Sequence, residues 1–198
     1  MTFSSIQQTK QALRAELKEK LRKICMSERA RASHAAAERL MASAAWQNSA
    51  TILLYASLDS ELDTKPLIEA AWKSGRRVAL IRIADQNLHF DLRLFSHENE
   101  LEMGLWNVRQ PSAATPILSM DEVDLIVAPG LGFDRACNRL GRGAGLYDRL
   151  LAQKKESTSV IGYFYSFQEV ERVPTEPHDQ RLTGIVTENK LLALKLTN

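Results

Sequence analysis

The densest cluster of chemistry-bearing residues is Gly130-Leu-Gly-Phe-Asp-Arg-Ala-Cys-Asn-Arg-Leu-Gly-Arg-Gly-Ala-Gly-Leu-Tyr-Asp-Arg149. It holds Gly130, Gly132, Gly141, Gly143 and Gly145, five of the chain's nine glycines. The stretch follows a buried-type apolar run and precedes a helical pattern. At that place in an open α/β sheet, a glycine-rich turn lets backbone N–H groups approach a phosphate, and a helix N-terminus adds favourable potential. Arg139 and Arg142 can add charge-assisted hydrogen bonds to phosphate oxygens. Asp148 is a hard-oxygen ligand suited to the magnesium that accompanies nucleotide phosphates. The spacing is neither a Walker A loop nor a dinucleotide fingerprint, because no Gly-Lys-Ser/Thr follows and the three closing glycines lead into Leu146-Tyr147-Asp148. A purely structural glycine turn stands beside the phosphate reading.

Six further positions invite chemistry. Lys10 and Arg14 lie one helical turn apart and can converge on one ligand. Lys10 shares the helical angle of Leu17 and Leu21, so its cation either snorkels or faces an anion near the domain body. Glu61, in Ser57-Leu-Asp-Ser-Glu-Leu-Asp63, has no helix-capping task of the kind that explains Asp63 and Thr64. Its carboxylate can accept hydrogen bonds from a ring N–H or an amino group. His178 and Asp179, in Pro174-Thr-Glu-Pro-His-Asp179, suit either a metal or a turn cap, and Trp106 can stack on a flat heterocycle or simply pack. Cys25 reads as a core residue at the end of a helix stripe, and Cys137 has no histidine near it in sequence and no assigned catalytic role.

These residues need a scaffold. Ile6, Leu13, Leu17, Leu21 and Ile24 form one stripe at helical period, so residues 6–24 are expected to be helical. A second helix is expected from an N-cap at Ser27, through Leu40 towards Trp46. Thr51–Ala56 is a continuous apolar run of strand length, as a strand covered on both faces would be, and Val123–Ala128 reads as another buried strand. Thr64 and Pro66 open a helix through Trp72 that Gly75 stops. Further strands are expected at Arg77–Ile83, Leu88–Leu94, Ser159–Phe164 and Leu182–Val186, with a helix from Leu146 to Lys154 and a loop-rich stretch over residues 96–122. The alternation predicts an α/β fold: a mainly parallel open sheet flanked by helices in a Rossmann-like layered architecture. One domain over residues 1–198 is expected, with helices in 1–48 packed on an α/β core at 51–190.

Composition narrows the function classes. The net charge is +2 across 198 residues, so bulk basicity does not argue for a nucleic-acid partner. The cations of residues 10–31 cluster on helices without interleaved aromatics to stack bases. Two cysteines make neither a disulfide framework nor a zinc spacing, and no apolar segment reaches membrane-spanning length. A cytoplasmic protein acting on small molecules, with no membrane partner, is the expectation.

Taken together, the motifs resemble the 5-formyltetrahydrofolate cyclo-ligase family from Lys10 to Glu188. The resemblance rests chiefly on Gly132–Arg149, supported by Lys10 with Arg14, by Tyr55–Pro66 with Glu61, by Gly104–Pro111 and by Pro174–Thr187. It implies an ATP- and magnesium-dependent monomer that cyclises 5-formyltetrahydrofolate, polyglutamylated forms included, to 5,10-methenyltetrahydrofolate, releasing ADP and phosphate. Under that resemblance ATP is held by Lys10, Arg14, Arg139, Leu140, Gly141, Arg142, Gly143, Ala144, Gly145, Leu146 and Tyr147. Arg139 and Arg142 are the catalytic cations. Glu61 holds the folate, with Trp106, Leu146 and Tyr147 beside it, and Asp148 and Asp179 bind magnesium. In the implied scheme the formyl oxygen attacks the γ-phosphate, the neighbouring folate amine adds to the activated carbon, and phosphate leaves. Three positions depart from the family pattern: Ala144 replaces a frequent Lys, Leu146 an aromatic residue and Cys137 a glycine. The alternatives are a non-catalytic folate- or nucleotide-binding module with a decayed site, and a different phosphate chemistry on a similar sheet.

Overall fold

The computed structural model describes residues 3–193; the ends of the expected 1–198 unit, residues 1–2 and 194–198, lie outside it. Five α-helices are present among the described residues: α1 (Phe3–Arg22), α2 (Met26–Met41), α3 (Ala44–Gln47), α4 (Lys65–Lys73) and α5 (Leu146–Leu151). The strands are β1 (Thr51–Leu53), β2 (Arg77–Ile83), β3 (Phe90–Leu94), β4 (Leu101–Met103), β5 (Arg109–Pro111), β6 (Ile117–Leu118), β7 (Leu125–Ala128), β8 (Gly132–Phe133), β9 (Arg139–Leu140), β10 (Ser159–Tyr163), β11 (Gly184–Val186) and β12 (Leu191–Ala193).

Eight of these strands form one sheet in the order β12-β11-β10-β7-β1-β2-β3-β6. The interior, β11-β10-β7-β1-β2, is parallel throughout, with Ile52 opposite both Val78 and Leu125. Antiparallel strands close both edges, β12 on one side and β3 with β6 on the other. The expected mainly parallel α/β sheet is therefore present.

Successive residues of a strand point to opposite faces, and the core divides accordingly. Ile52 and Leu54 join Leu17 and Leu21 of α1, Leu40 of α2 and Leu67 of α4 in one buried cluster. Leu53 joins Phe133, Cys137 and Leu150 and Leu151 of α5 in the other. This explains why β1 reads as an unbroken apolar run: both faces are covered. Helix α1 is seated closely, since a Cβ at Gly132 would come 2.6 Å from Leu17 Cδ1.

Several expectations are corrected. Helix α2 starts at Met26, not after a Ser27 cap; Cys25 is its N-cap, with the Glu28 carboxylate accepting from the Cys25 N–H at 3.2 Å. Cys25 is exposed, not a core residue, because α1 ends at Arg22 before its apolar stripe reaches that far. The second helix does not continue to Trp46: Ser43 breaks it and caps α3, its hydroxyl accepting from Trp46 N–H. Helix α5 ends at Leu151 rather than Lys154. Strand β3 begins at Phe90, because Leu88 turns with a φ of 61°. Strand β12 has no counterpart in the sequence reading. Residues 96–122 contain only short strands and single helical turns, as expected of a loop-rich stretch. No helix among the described residues is long and apolar enough to cross a membrane.

Candidate active site

The carboxyl ends of β1, β2 and β7 open onto a cleft of about 280 Å³. Open parallel sheets place ligands at this end. All the candidate ATP-, folate- and magnesium-binding residues line the cleft. They arrive on separate elements: Lys10 and Arg14 from α1, Glu61 from the loop after β1, Arg139 and Leu140 from β9, and Gly141–Asp148 from the turn into α5. Asp179 comes from the loop before β11.

The loop from Gly141 to Gly145 turns on backbone that only glycine adopts freely. Gly143 and Gly145 have φ values of 112° and 70°, and Gly145 is the N-cap of α5. Arg14 Nε donates to Gly141 O at 3.0 Å, which ties α1 to this loop. Because α5 has only six residues, its dipole is smaller than the sequence suggested, and side-chain cations must carry most of the positive potential.

Each of those cations already faces an anion or a carbonyl. Lys10 is 4% exposed, and its Nζ donates to Glu176 Oε2 at 2.7 Å and Asp179 Oδ2 at 2.6 Å. The choice between snorkelling and facing an anion is thereby decided for the second. Hydrogen bonding from Lys10 holds the Glu176 carboxyl below its usual range. Arg139 is buried and donates through Nη2 to Asp148 Oδ1 at 2.9 Å, while its Nε has no partner. Its Cζ lies 5.4 Å from the centroid of the Tyr147 ring, a cation–π contact. Arg142 makes a bidentate approach to Glu61 Oε1, with Nε at 3.0 Å and Nη2 at 2.8 Å.

Glu61 caps no helix, as expected, but its carboxylate also closes a loop. It is 7% exposed, and Oε2 accepts from the Leu58 N–H at 3.0 Å, closing its own loop. Tyr147 lines the cleft with a buried hydroxyl that has no hydrogen-bond partner, and burial pushes that phenol well above its ordinary pKa. Trp106 sits at the rim, 59% exposed with a φ of 58°, at the tip of the β4–β5 hairpin. Gln110 anchors this hairpin by accepting from Ile83 N–H through Oε1 at 3.1 Å. Leu140 is buried, Leu146 half-buried and Ala144 exposed along the cleft wall.

For a metal, the residues brought together are Glu176, His178 and Asp179, with one ligand atom from each within 4.8 Å of the others. Asp148 is not part of that group; its Oδ1 is engaged by Arg139. Glu176, Gln7 and Gln110 were not singled out from the sequence. Glu176 lies inside the quoted Pro174–Asp179 segment, but its partner Lys10 is 166 residues away. Cys137 is buried, has a φ of 60° and has its thiol pKa raised by burial, so it is not poised to react. Its left-handed backbone is the conformation that favours glycine.

Comparison with known proteins places the chain among related sequences and folds. A 5-formyltetrahydrofolate cyclo-ligase of Mus musculus is 31% identical over 199 residues, covering 96% of this chain and 98% of its own length. That of Escherichia coli K12 is 35% identical over 144 residues, covering 71% of this chain and 79% of its own. The NMR structure of Aquifex aeolicus 5,10-methenyltetrahydrofolate synthetase matches with a TM-score of 0.85 at 28% identity, over 96% of this chain and 94% of the other. The Mycoplasma pneumoniae synthetase shares the fold, with a TM-score of 0.72 at 23% identity over 90% of this chain and 98% of the other. A sequence model of the 5-formyltetrahydrofolate cyclo-ligase family matches residues 6–188, and the chain belongs to that family.

Proposed function

We propose that this chain uses ATP to convert 5-formyltetrahydrofolate to 5,10-methenyltetrahydrofolate. The observation that carries the reading is the convergence of Lys10, Arg14, Arg139 and Arg142 with Glu61 in one cleft at the ligand end of the sheet. Cations suit a polyphosphate, and a buried carboxylate suits a ring bearing N–H donors.

In this reaction the formyl oxygen attacks the γ-phosphorus as the bond to the β-phosphate oxygen breaks and ADP leaves. The neighbouring folate amine adds to the activated carbon and gives up its proton. The carbon–oxygen bond then breaks, phosphate departs with the electron pair, and the methenyl bridge remains. None of these steps needs a nucleophilic side chain. They need charge neutralisation and alignment, which fixed cations supply without reorganising. Arg139 is positioned by Asp148 and the Tyr147 ring, and Arg142 stands over the glycine loop opposite Glu61. Glu61 accepts from the pterin, Leu146 and Tyr147 wall the ring, and Trp106 covers it from the rim. Lys10 and Arg14 neutralise the phosphates from the α1 side.

The oxygen donors suit a hard divalent ion. Asp179 and Asp148 would hold magnesium alongside the nucleotide, with Glu176 joining them if Lys10 turns to the phosphates. Magnesium prefers oxygen ligands, so His178 is the weakest of the clustered candidates. Bound there, the ion would neutralise charge on the phosphate oxygens.

The test is inorganic phosphate release from ATP with magnesium, with and without 5-formyltetrahydrofolate. Release that depends on the folate and matches product mole for mole supports the reading. Folate-independent release, or none while both ligands bind, contradicts it.

A further inference from the structure

The Arg142–Glu61 ion pair occupies both of the groups that the two ligands need. Glu61 Oε1 receives Arg142 Nε and Nη2, and Oε2 receives the Leu58 N–H, so three of the carboxylate's roughly four acceptor sites are taken. Arg142 adds a 3.3 Å contact from Nη2 to Ser60 Oγ, so both its Nε and its Nη2 are turned to the loop after β1. The next side chain able to reach a phosphate from this turn is not at Ala144, which has no polar atom. The turn between Leu140 and Gly145 therefore has Arg142 as its one cation.

We propose that Arg142 couples the two subsites: folate binding at Glu61 releases it for the nucleotide, and nucleotide binding clears Glu61 for the folate. The inference rests on the function proposed above and adds an energetic link between its two ligands.

The two partners differ in freedom to move. The Glu61 backbone carbonyl accepts from Arg29 Nε at 2.8 Å and from the Tyr165 hydroxyl at 3.1 Å, so its main chain is pinned while the Leu58 N–H holds Oε2. The Arg142 side chain is 36% exposed, against 8% for Glu61, and stands between two glycines. Arg142 is the partner that swings. A ligand binding alone must break the pair and leaves one charged group without its partner. When both are bound, each charge has a new partner, so each ligand tightens the other. Linkage requires the two effects to be equal. An ion pair with one half-exposed member supports a coupling of about fivefold to tenfold, the low end of the usual range.

The test uses the full chain and a non-hydrolysable β,γ-imido analogue of ATP with magnesium. Its dissociation constant is measured by calorimetry with and without saturating 5-formyltetrahydrofolate. The expected result is about fivefold to tenfold tighter analogue binding with folate present, and the same factor in the reciprocal titration. Glu61→Gln, titrated without folate, should bind the analogue several-fold more tightly than the parent chain. Made in an Arg142→Ala background, Glu61→Gln should change nothing. That arm separates release of Arg142 from the mere removal of a negative charge, which would tighten binding in both backgrounds. Independent binding of the two ligands, or an equal Glu61→Gln effect in both backgrounds, overturns the coupling and leaves the proposed function standing. Failure of either ligand to bind even with the other present at any accessible concentration overturns the proposed function and the coupling with it.

Discussion

Replacing Tyr147 with Phe deletes one oxygen, and the structure says what that oxygen costs. The hydroxyl is buried without a hydrogen-bond partner, in a cleft shared with Arg139 and Glu61. A buried, unsatisfied hydroxyl costs roughly 1–3 kcal/mol relative to water in protein mutational data. The ring and its cation–π contact with Arg139 survive the change, so most of that cost is recovered. Tyr147→Phe should stabilise the free protein by about 1 kcal/mol, which for a chain of this length raises Tm by roughly 2–4 °C. A polar site kept unpaired is useful only if a ligand pairs it. The same variant should therefore lose about threefold to tenfold in kcat/KM, the worth of one neutral hydrogen bond. Urea unfolding of the ligand-free protein and steady-state kinetics read the two effects separately. A loss of 1 kcal/mol or more on mutation would refute the reasoning, since it would mean the hydroxyl is satisfied in the free protein.

Other perturbations have equally defined outcomes. Leu17→Ala empties a fully buried site where α1 meets Gly132, and should cost about 2–5 kcal/mol in chemical denaturation while raising KM for ATP, because α1 carries Lys10 and Arg14. Arg139→Ala should lower kcat by at least about a hundredfold with the far-ultraviolet circular dichroism unchanged; near-normal turnover would remove Arg139 from the machinery. Lys10→Gln should raise KM for ATP by about tenfold or more and shift acid unfolding. The Glu176 carboxyl is held low by Lys10, so its contribution is present above the ordinary carboxylate pKa and lost as pH falls through the depressed value. Without Lys10 most of that contribution is absent, so the urea midpoint should start lower at neutral pH and fall less as pH drops through the carboxylate range, which a pH series would record.

Much of the candidate site is legible in the sequence, and the reason is local. The Gly130–Arg149 segment carries its glycines, its cations and Asp148 within twenty residues, and the strand before it is marked by an unbroken apolar run. Lys10 was legible by its helical angle, which placed a cation on the apolar side of α1. Its partners were not, because nothing in Pro174–Asp179 signals contact with a helix 166 residues earlier. The misreadings were also local in origin. Extending the apolar stripe of α1 by one turn put Cys25 in the core, although the chain had already left the helix. The Arg142 partner of Glu61, 81 positions away, has no signal in the sequence around either residue. Cys137 shows the reverse case: its departure from glycine is visible in the sequence, and its left-handed backbone only in the structure.

If the cleft performs the cyclisation, a single optical measurement registers it. The purified chain is mixed with 5-formyltetrahydrofolate, ATP and magnesium, and the near-ultraviolet absorbance of the conjugated methenyl product is followed. The account predicts a rise that disappears when either ATP or magnesium is left out. A flat trace from folded protein that still binds both ligands would contradict it, and would mark the cleft as a binding module without the chemistry.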